Sequence, residues 1–363
     1  MIYLDYQATT PLAPEAKAAM LPWLDHYANP HSPSRWGREA AAAIEHARGQ
    51  VAAGLPADGQ VVFTSGATEA LNMALRGTGG RILTLATEHA AVLDTVEWLG
   101  GEGHEVEVLG VGRDGLVDLD RLREALRQPT GLVAAMLVNN EIGVIQPIAE
   151  IAALAHAAGA LMLCDAVQGF GRMAIPVGPD LVAVSAHKIH GPKGVGALWI
   201  RDGIAVEPLL HGGGQERGLR SGTLSPMLCA GFGAAAALAV ARRAADAAHV
   251  ENLWEAALDA LGPDWIVNGS RDHRYHGNLN VRREGLDSAR LLADCRQVAF
   301  SLGSACASGS GRPSHVLRAL GLTDTEARQS VRLGFGRTTT VAELRAACTL
   351  IRGAADAQRK FAA

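Results

Sequence analysis

The sequence predicts an α/β fold organised around a mostly parallel sheet, and three observations carry that prediction. Between residues 60 and 200, short apolar runs alternate with helical stretches, the pattern of repeated strand–helix–strand units. Several of those runs, Gly131-Leu-Val-Ala-Ala-Met-Leu-Val138 above all, are apolar throughout, as strands covered on both faces are. The chain has 363 residues, 48% of them hydrophobic, so a large core is expected and wholesale disorder is not. That length favours a large domain with a smaller one attached.

Taken in order, Ile2 to Pro11 reads as extended, with a turn at Pro11, and Pro14 to Met20 as helical. Asn29-Pro-His-Ser-Pro-Ser34 is a polar loop before an Ala-rich helix from Arg35 to Ala53, which sets Ile44 and Val51 on one face. Strands follow at Gln60–Thr64, Arg81–Ala86, Val106–Val108, Gly131–Val138, Ala160–Cys164, Asp180–Ser185 and Gly194–Ile200. Helices fall between them at Ala70–Arg76, from His89 to Leu99, and at Leu119–Leu126 and Ile148–Ala158. A glycine-rich loop spans Gly212–Gly222, and a long Ala-rich helix after Pro226 bridges to a second unit. The C-terminal third is a smaller α/β segment, with strands at Asn278–Val281 and Ser330–Leu333 and a terminal helix.

Composition excludes some functions. The net charge is −4 without a Lys/Arg tract, so no nucleic-acid groove is indicated. The N-terminus lacks a basic and an apolar targeting region, and no apolar run reads as long enough to span a bilayer. A cytoplasmic protein is expected. Five cysteines show neither CxxC pairing nor metal-ligand spacing. Cys164, Cys229, Cys295 and Cys348 sit in apolar or helical surroundings and read as core thiols.

Ligands of open α/β sheets bind beyond the carboxyl ends of the strands. That edge collects Ser65 to Thr68, His89, Asn140, Asp165, Gln168, Ser185, His187 and Lys188. Ser65-Gly-Ala-Thr68 at a helix start is either an anion cradle or a plain N-cap. Asp165 is a helix cap or an anion that holds a ring nitrogen protonated. His89 stacks on a flat cofactor or is structural. Lys188, on a turn ending in Gly-Pro, is a solvated loop lysine or a Schiff-base amine, depending on whether its site depresses its pKa. Cys306 lies in Gly303-Ser-Ala-Cys-Ala-Ser-Gly-Ser-Gly311, a loop with nothing larger and apolar than Ala. Such a loop reads as exposed and mobile, and its thiol as either inert or nucleophilic.

The ordered set Tyr3-Leu-Asp-Tyr-Gln-Ala-Thr-Thr-Pro11, Phe63-Thr-Ser-Gly-Ala-Thr-Glu69, Thr87-Glu-His-Ala-Ala-Val-Leu-Asp-Thr95, Val138-Asn-Asn-Glu-Ile-Gly-Val-Ile-Gln-Pro147, Asp165-Ala-Val-Gln168, Ser185-Ala-His-Lys-Ile-His-Gly-Pro-Lys-Gly194, Arg220-Ser-Gly-Thr-Leu224 and Ser301-Leu-Gly-Ser-Ala-Cys-Ala-Ser-Gly309 goes further. Nearly end to end, it resembles the pyridoxal-phosphate-dependent cysteine desulfurases of the NifS/IscS type, in the class V branch of fold-type I aminotransferases. The resemblance implies a homodimer that converts L-cysteine to L-alanine and passes sulfur through a persulfide to an acceptor such as an iron–sulfur scaffold or a tRNA-thiolation relay. A selenocysteine lyase or a class V aminotransferase is the alternative.

By the same resemblance Lys188 holds the cofactor and moves protons, Asp165 partners the pyridinium, and Gln168 bonds the phenolic oxygen. Ala67, Thr68, Ser185 and His187 form the phosphate cup, joined by Thr223 from the neighbouring subunit. His89 stacks on the ring and assists proton transfer. Asn140 and Arg332 grip the substrate carboxylate, for which a guanidinium fork is suited. Cys306 is the nucleophile, and no resident metal is implied, although Cys306 is the ligand to a transferred iron–sulfur cluster. Residues 14–248 are then the large cofactor-binding domain, and 1–13 with 249–363 the small domain carrying the cysteine loop. From Cys306 to Pro313 the loop is as long as in the housekeeping members, with different content. Gln7 stands where the family has Asn or Ser, a change that bears on packing.

Overall fold

The structure, a computed structural model, describes residues 1–302 and 313–362. Its strands are β1 (Ile2–Tyr3), β2 (Gly59–Thr64), β3 (Ile82–Leu85), β4 (Val106–Leu109), β5 (Leu132–Met136), β6 (Leu161–Asp165), β7 (Leu181–Ser185), β8 (Gly196–Arg201), β9 (Ile266–Val267), β10 (Asn278–Arg282), β11 (Val298–Ala299) and β12 (Ser330–Gly334). Its helices are α1 (Pro14–Met20), α2 (Arg35–Ala52), α3 (Ala67–Gly77), α4 (Ala90–Gly101), α5 (Leu119–Ala125), α6 (Ile148–Ala157), α7 (Pro226–Leu261), α8 (Ser288–Asp294), α9 (His315–Ala319), α10 (Asp324–Arg328) and α11 (Val341–Ala362).

Seven strands form the main sheet in the order β2-β8-β7-β6-β5-β3-β4. Only β8 runs against its neighbours, so the mostly parallel expectation holds. The sheet is covered on both faces, and the two-residue period of a strand shows how. On β7, Val182 and Val184 join one core with Ile44, Val51 and Phe232. Leu181 and Ala183 join the other, with Leu71, Leu75 and Val96 of α3 and α4. Both sets are fully buried, which is why these strands read as continuous apolar runs.

A three-stranded antiparallel sheet, β12-β10-β9, and the pair β1-β11 make the second layer system. Its core gathers Leu4, Leu279, Val281, Val331 and Leu333 with Leu344, Cys348 and Ile351 of α11. Helix α7 serves both cores: Cys229, Phe232 and Ala236 enter the first, and Leu253, Trp254 and Leu261 the second. By length and composition alone this 36-residue helix could cross a membrane, which corrects the sequence reading that no run is long enough. Its many alanines make it apolar along its length, and its large residues Phe232, Leu253, Trp254 and Leu261 are buried inside the protein. The four other cysteines are buried thiols, as expected. Strand β1 lies in the stretch expected to be extended, whereas β9, β11 and α8 to α10 are not foreseen in the sequence, their two to seven residues carrying too little periodicity.

Candidate active site

Because β2, β3, β5, β6 and β7 are co-directional, their carboxyl ends meet at one edge, where a cavity of about 880 Å³ opens. Ser65, Ala67, Thr68, His89, Asn140, Asp165, Gln168, Ser185, His187, Lys188 and Arg332 all line it. Thr223 is exposed and outside this lining. Cys306 lies outside the described residues.

Lys188 ends a short 3-10 turn that follows β7 directly. Its Nζ donates to the backbone oxygens of Gln7 and Ala8, the latter at 2.9 Å. Asp165 closes β6 at 3% exposure, and one carboxyl oxygen accepts the Val167 N–H at 3.0 Å. Burial pushes its carboxyl up to about 6, against opposing pulls from that N–H and from Lys188. His89 caps α4, with Nδ1 accepting the Ala91 N–H at 3.0 Å. Burial first, then the Lys188 charge, depresses its pKa. The ring is therefore neutral at pH 7 with its proton on Nε2. His89 thus has the structural role of a helix cap, and its residue also lines the cavity. His187, Nδ1 to Thr9 Oγ1 at 3.2 Å, is likewise pulled down to about 4 by burial and the neighbouring Lys188 and Lys193.

Helix α3 starts at Ala67 after Gly66 and carries no side-chain cap. The plain N-cap reading of Ser65 or Thr68 is therefore overturned. Ser65 to Thr68 line the cavity instead, so the helix start, with its uncapped first turn and positive dipole end, has the form of an anion cradle. Its register is fixed from behind: Glu69 accepts the Ser65 N–H at 2.7 Å and pairs with Arg220, Nε to Oε1 at 2.7 Å.

Across the cavity, Arg332 on β12 is 1% exposed. Its Nη1 donates to Asn140 O at 3.0 Å, and its Nη2 to Asp5 at 2.7 Å and Ser301 at 3.2 Å. Asn278 and Asn280 of β10 hold the same 139–141 turn through its backbone oxygens. Gln168 is 3% exposed, donating to Gln7 O at 2.9 Å and accepting from Arg172.

Four participants escaped sequence reasoning. Gln7 is not a packing detail: it lines the cavity, its carbonyl takes both Lys188 and Gln168, and its side chain donates to Gly277 O at 2.8 Å. Asp5 and Ser301 hold Arg332, and His315, whose Nε2 meets Glu88 O at 2.9 Å, joins the wall. The first three lay within quoted motifs, but nothing local says that residue 5 meets residue 332.

The residues present fit pyridoxal 5′-phosphate. An uncapped helix start suits a phosphate, a buried acid suits a protonated ring nitrogen, and a lysine lining the same cavity suits an aldehyde. Among the described residues, no group of three or more His, Cys, Asp or Glu could hold a metal ion.

The comparisons with known proteins agree. The family model "Aminotransferase class-V" matches residues 2–346. A cysteine desulfurase IscS of Rickettsia bellii is 43% identical over 368 residues, covering 96% of this chain and 90% of that protein. A mitochondrial cysteine desulfurase of Arabidopsis thaliana is 46% identical, covering 94% of this chain and 80% of that protein. The X-ray structure of a NifS-like protein from Rickettsia africae superposes with a TM-score of 0.91 at 31% identity, covering 98% of this chain and 99% of that one. With its strands, its cavity and a match over nearly its whole length in accord, the chain belongs to the class-V aminotransferase family.

Proposed function

We propose that the protein is a pyridoxal-phosphate-dependent cysteine desulfurase that converts L-cysteine to L-alanine and keeps the sulfur on Cys306. The observation that carries this is a single cavity that joins Lys188, Asp165 and His89 to a buried guanidinium, Arg332. The ends of the 303–312 segment support it: Ser301 touches Arg332, and Pro313 lines the cavity.

When bound, the cofactor supplies an electron sink for negative charge at the substrate Cα. Each residue then has a task. The α3 cradle with Ala67, Thr68, Ser185 and His187 binds phosphate, and Thr223 completes the cup from a second subunit of a homodimer. Asp165 keeps the ring nitrogen protonated; that charge in turn relieves the cost of burying the carboxylate. Gln168 retains a second amide N–H for the phenolic oxygen. Asn140 and Arg332 hold the substrate carboxylate. Lys188 and the Nε2–H of His89 hold and return protons. The Cys306 thiolate attacks the substrate sulfur: an S–S bond forms, and the Cβ–S bond breaks with its electron pair left on carbon, where protonation completes alanine. Sulfur leaves for an acceptor protein such as an iron–sulfur scaffold, with Cys306 also serving as ligand to a transferred cluster. We place the activity in the cytoplasm, and divide the chain into a large domain, 14–248, and a small one, 1–13 with 249–363.

The test is product analysis with purified enzyme and L-cysteine. With dithiothreitol present to reduce the persulfide, alanine and sulfide should form in equal amounts, and Lys188→Ala should lose both the yellow cofactor colour and turnover. A ketoacid product would sink the reading in favour of an aminotransferase. Turnover of selenocysteine that survives Cys306→Ala would sink it in favour of a lyase.

A further inference from the structure

Arg332 is already committed. A guanidinium has five N–H donors and offers a carboxylate two forks, one made by Nε with Nη2 and one by the two Nη groups. Each fork uses one Nη2 N–H. In the structure Nη2 donates to Asp5 Oδ1 at 2.7 Å and to Ser301 Oγ at 3.2 Å. Ser301 Oγ donates in turn to the same Asp5 oxygen at 2.9 Å, which closes a three-membered ring of hydrogen bonds. Nη1 spends one N–H on Asn140 O, and Nε is buried with no partner among the described residues. Neither fork is therefore open at both prongs. Asp5 itself does not line the cavity; its side chain is 18% exposed and sits behind Arg332.

We propose that Asp5 is a resident counter-ion that competes with the substrate's carboxylate for Arg332, and so sets how tightly the site holds amino acids. The inference rests on the reading that Arg332 receives that carboxylate. A buried guanidinium without an anion is strongly disfavoured, so Asp5 holds Arg332 in place in the free site. The same pairing weakens the pull on an incoming carboxylate, because that group meets an ion pair and not a bare cation. Fast exchange of L-cysteine for L-alanine benefits from such tempering, since substrate and product carry the same carboxylate. Asp5 is thus a positioning residue with an affinity-setting charge.

Asp5→Asn separates the two effects. Its amide oxygen can still accept from Arg332 and Ser301, but the charge is gone. The probes are L-alanine and ethylamine, which lacks the carboxylate, each titrated by calorimetry into cofactor-loaded enzyme. Asp5→Asn should bind L-alanine about tenfold more tightly while ethylamine changes less than about twofold, and KM for L-cysteine should fall in parallel. Asp5→Ser, which also removes the charge, should give the same ranking if the amide variant folds poorly. Arg332→Gln should lose L-alanine binding. If it does, and L-alanine affinity in the Asp5 variants is unchanged or weaker, the inference is overturned alone. If Arg332→Gln retains L-alanine, the reading beneath it falls as well.

Discussion

Asp165 shows at the scale of one residue how the empty and loaded sites differ. Its carboxyl titrates near 3.8 in the unfolded chain and at about 6 in the fold. The native state thus binds the proton more tightly, so stability is lost as pH rises from 3.8 through about 6 and stays lower above. At about 1.4 kcal/mol per pH unit, the ionised carboxyl costs the cofactor-free fold about 3 kcal/mol. Cofactor-free Asp165→Asn should therefore melt higher than its parent at roughly pH 8, and the two should converge near pH 4. Melting curves at both pH values check this; equal melting at pH 8 would contradict it. Gln7 offers a second test. Gln7→Ala leaves Gly277 O without its donor, and should cost about 1–2 kcal/mol in denaturant unfolding while Lys188 keeps its backbone acceptors.

At the scale of elements, the active-site edge depends on how closely β8 approaches the α3 cradle. A Cβ on Gly196 would lie 2.6 Å from Val184 O and 2.8 Å from the Cα of Gly66. Both are backbone atoms, so Gly196→Ala must shift the turn that leads into the Gly66–Thr68 amides. Cofactor affinity should fall at least about tenfold, roughly 1.4 kcal/mol, read by equilibrium dialysis. A variant that unfolds earlier but keeps its cofactor would count against the cradle. This edge was legible in the sequence because each polar group follows an apolar strand in a repeating pattern. Lys188, Asp165, His89 and Asn140 could be placed by counting strands. The pairing of Arg332 with Asp5, 327 positions apart, could not, since both extended stretches are legible but nothing local says that they meet. Gln7 escapes for a different reason: much of its importance lies in its backbone carbonyl, which every residue type shares.

For the whole molecule, α7 is the shared beam. It contributes buried residues to both cores, and Asp246 near its middle pairs with Arg337, Nη2 to Oδ2 at 2.7 Å. Ala244 is exposed on the same helix, so Ala244→Pro changes no cavity residue and no core residue. The interrupted helix should cost about 3 kcal/mol or more and split one calorimetric transition into two, with activity lost as Arg332 drifts from Asn140. The proposed sulfur chemistry turns on Cys306, carried by its Ser301–Gly309 motif and by the flanks of its segment, Ser301 and Pro313. Its most direct test is to give the enzyme L-cysteine without reductant and analyse the Cys306 peptide by mass spectrometry. One added sulfur atom on that peptide, absent in Cys306→Ser, is the predicted result; alanine accumulating with no sulfur on Cys306 would contradict the mechanism.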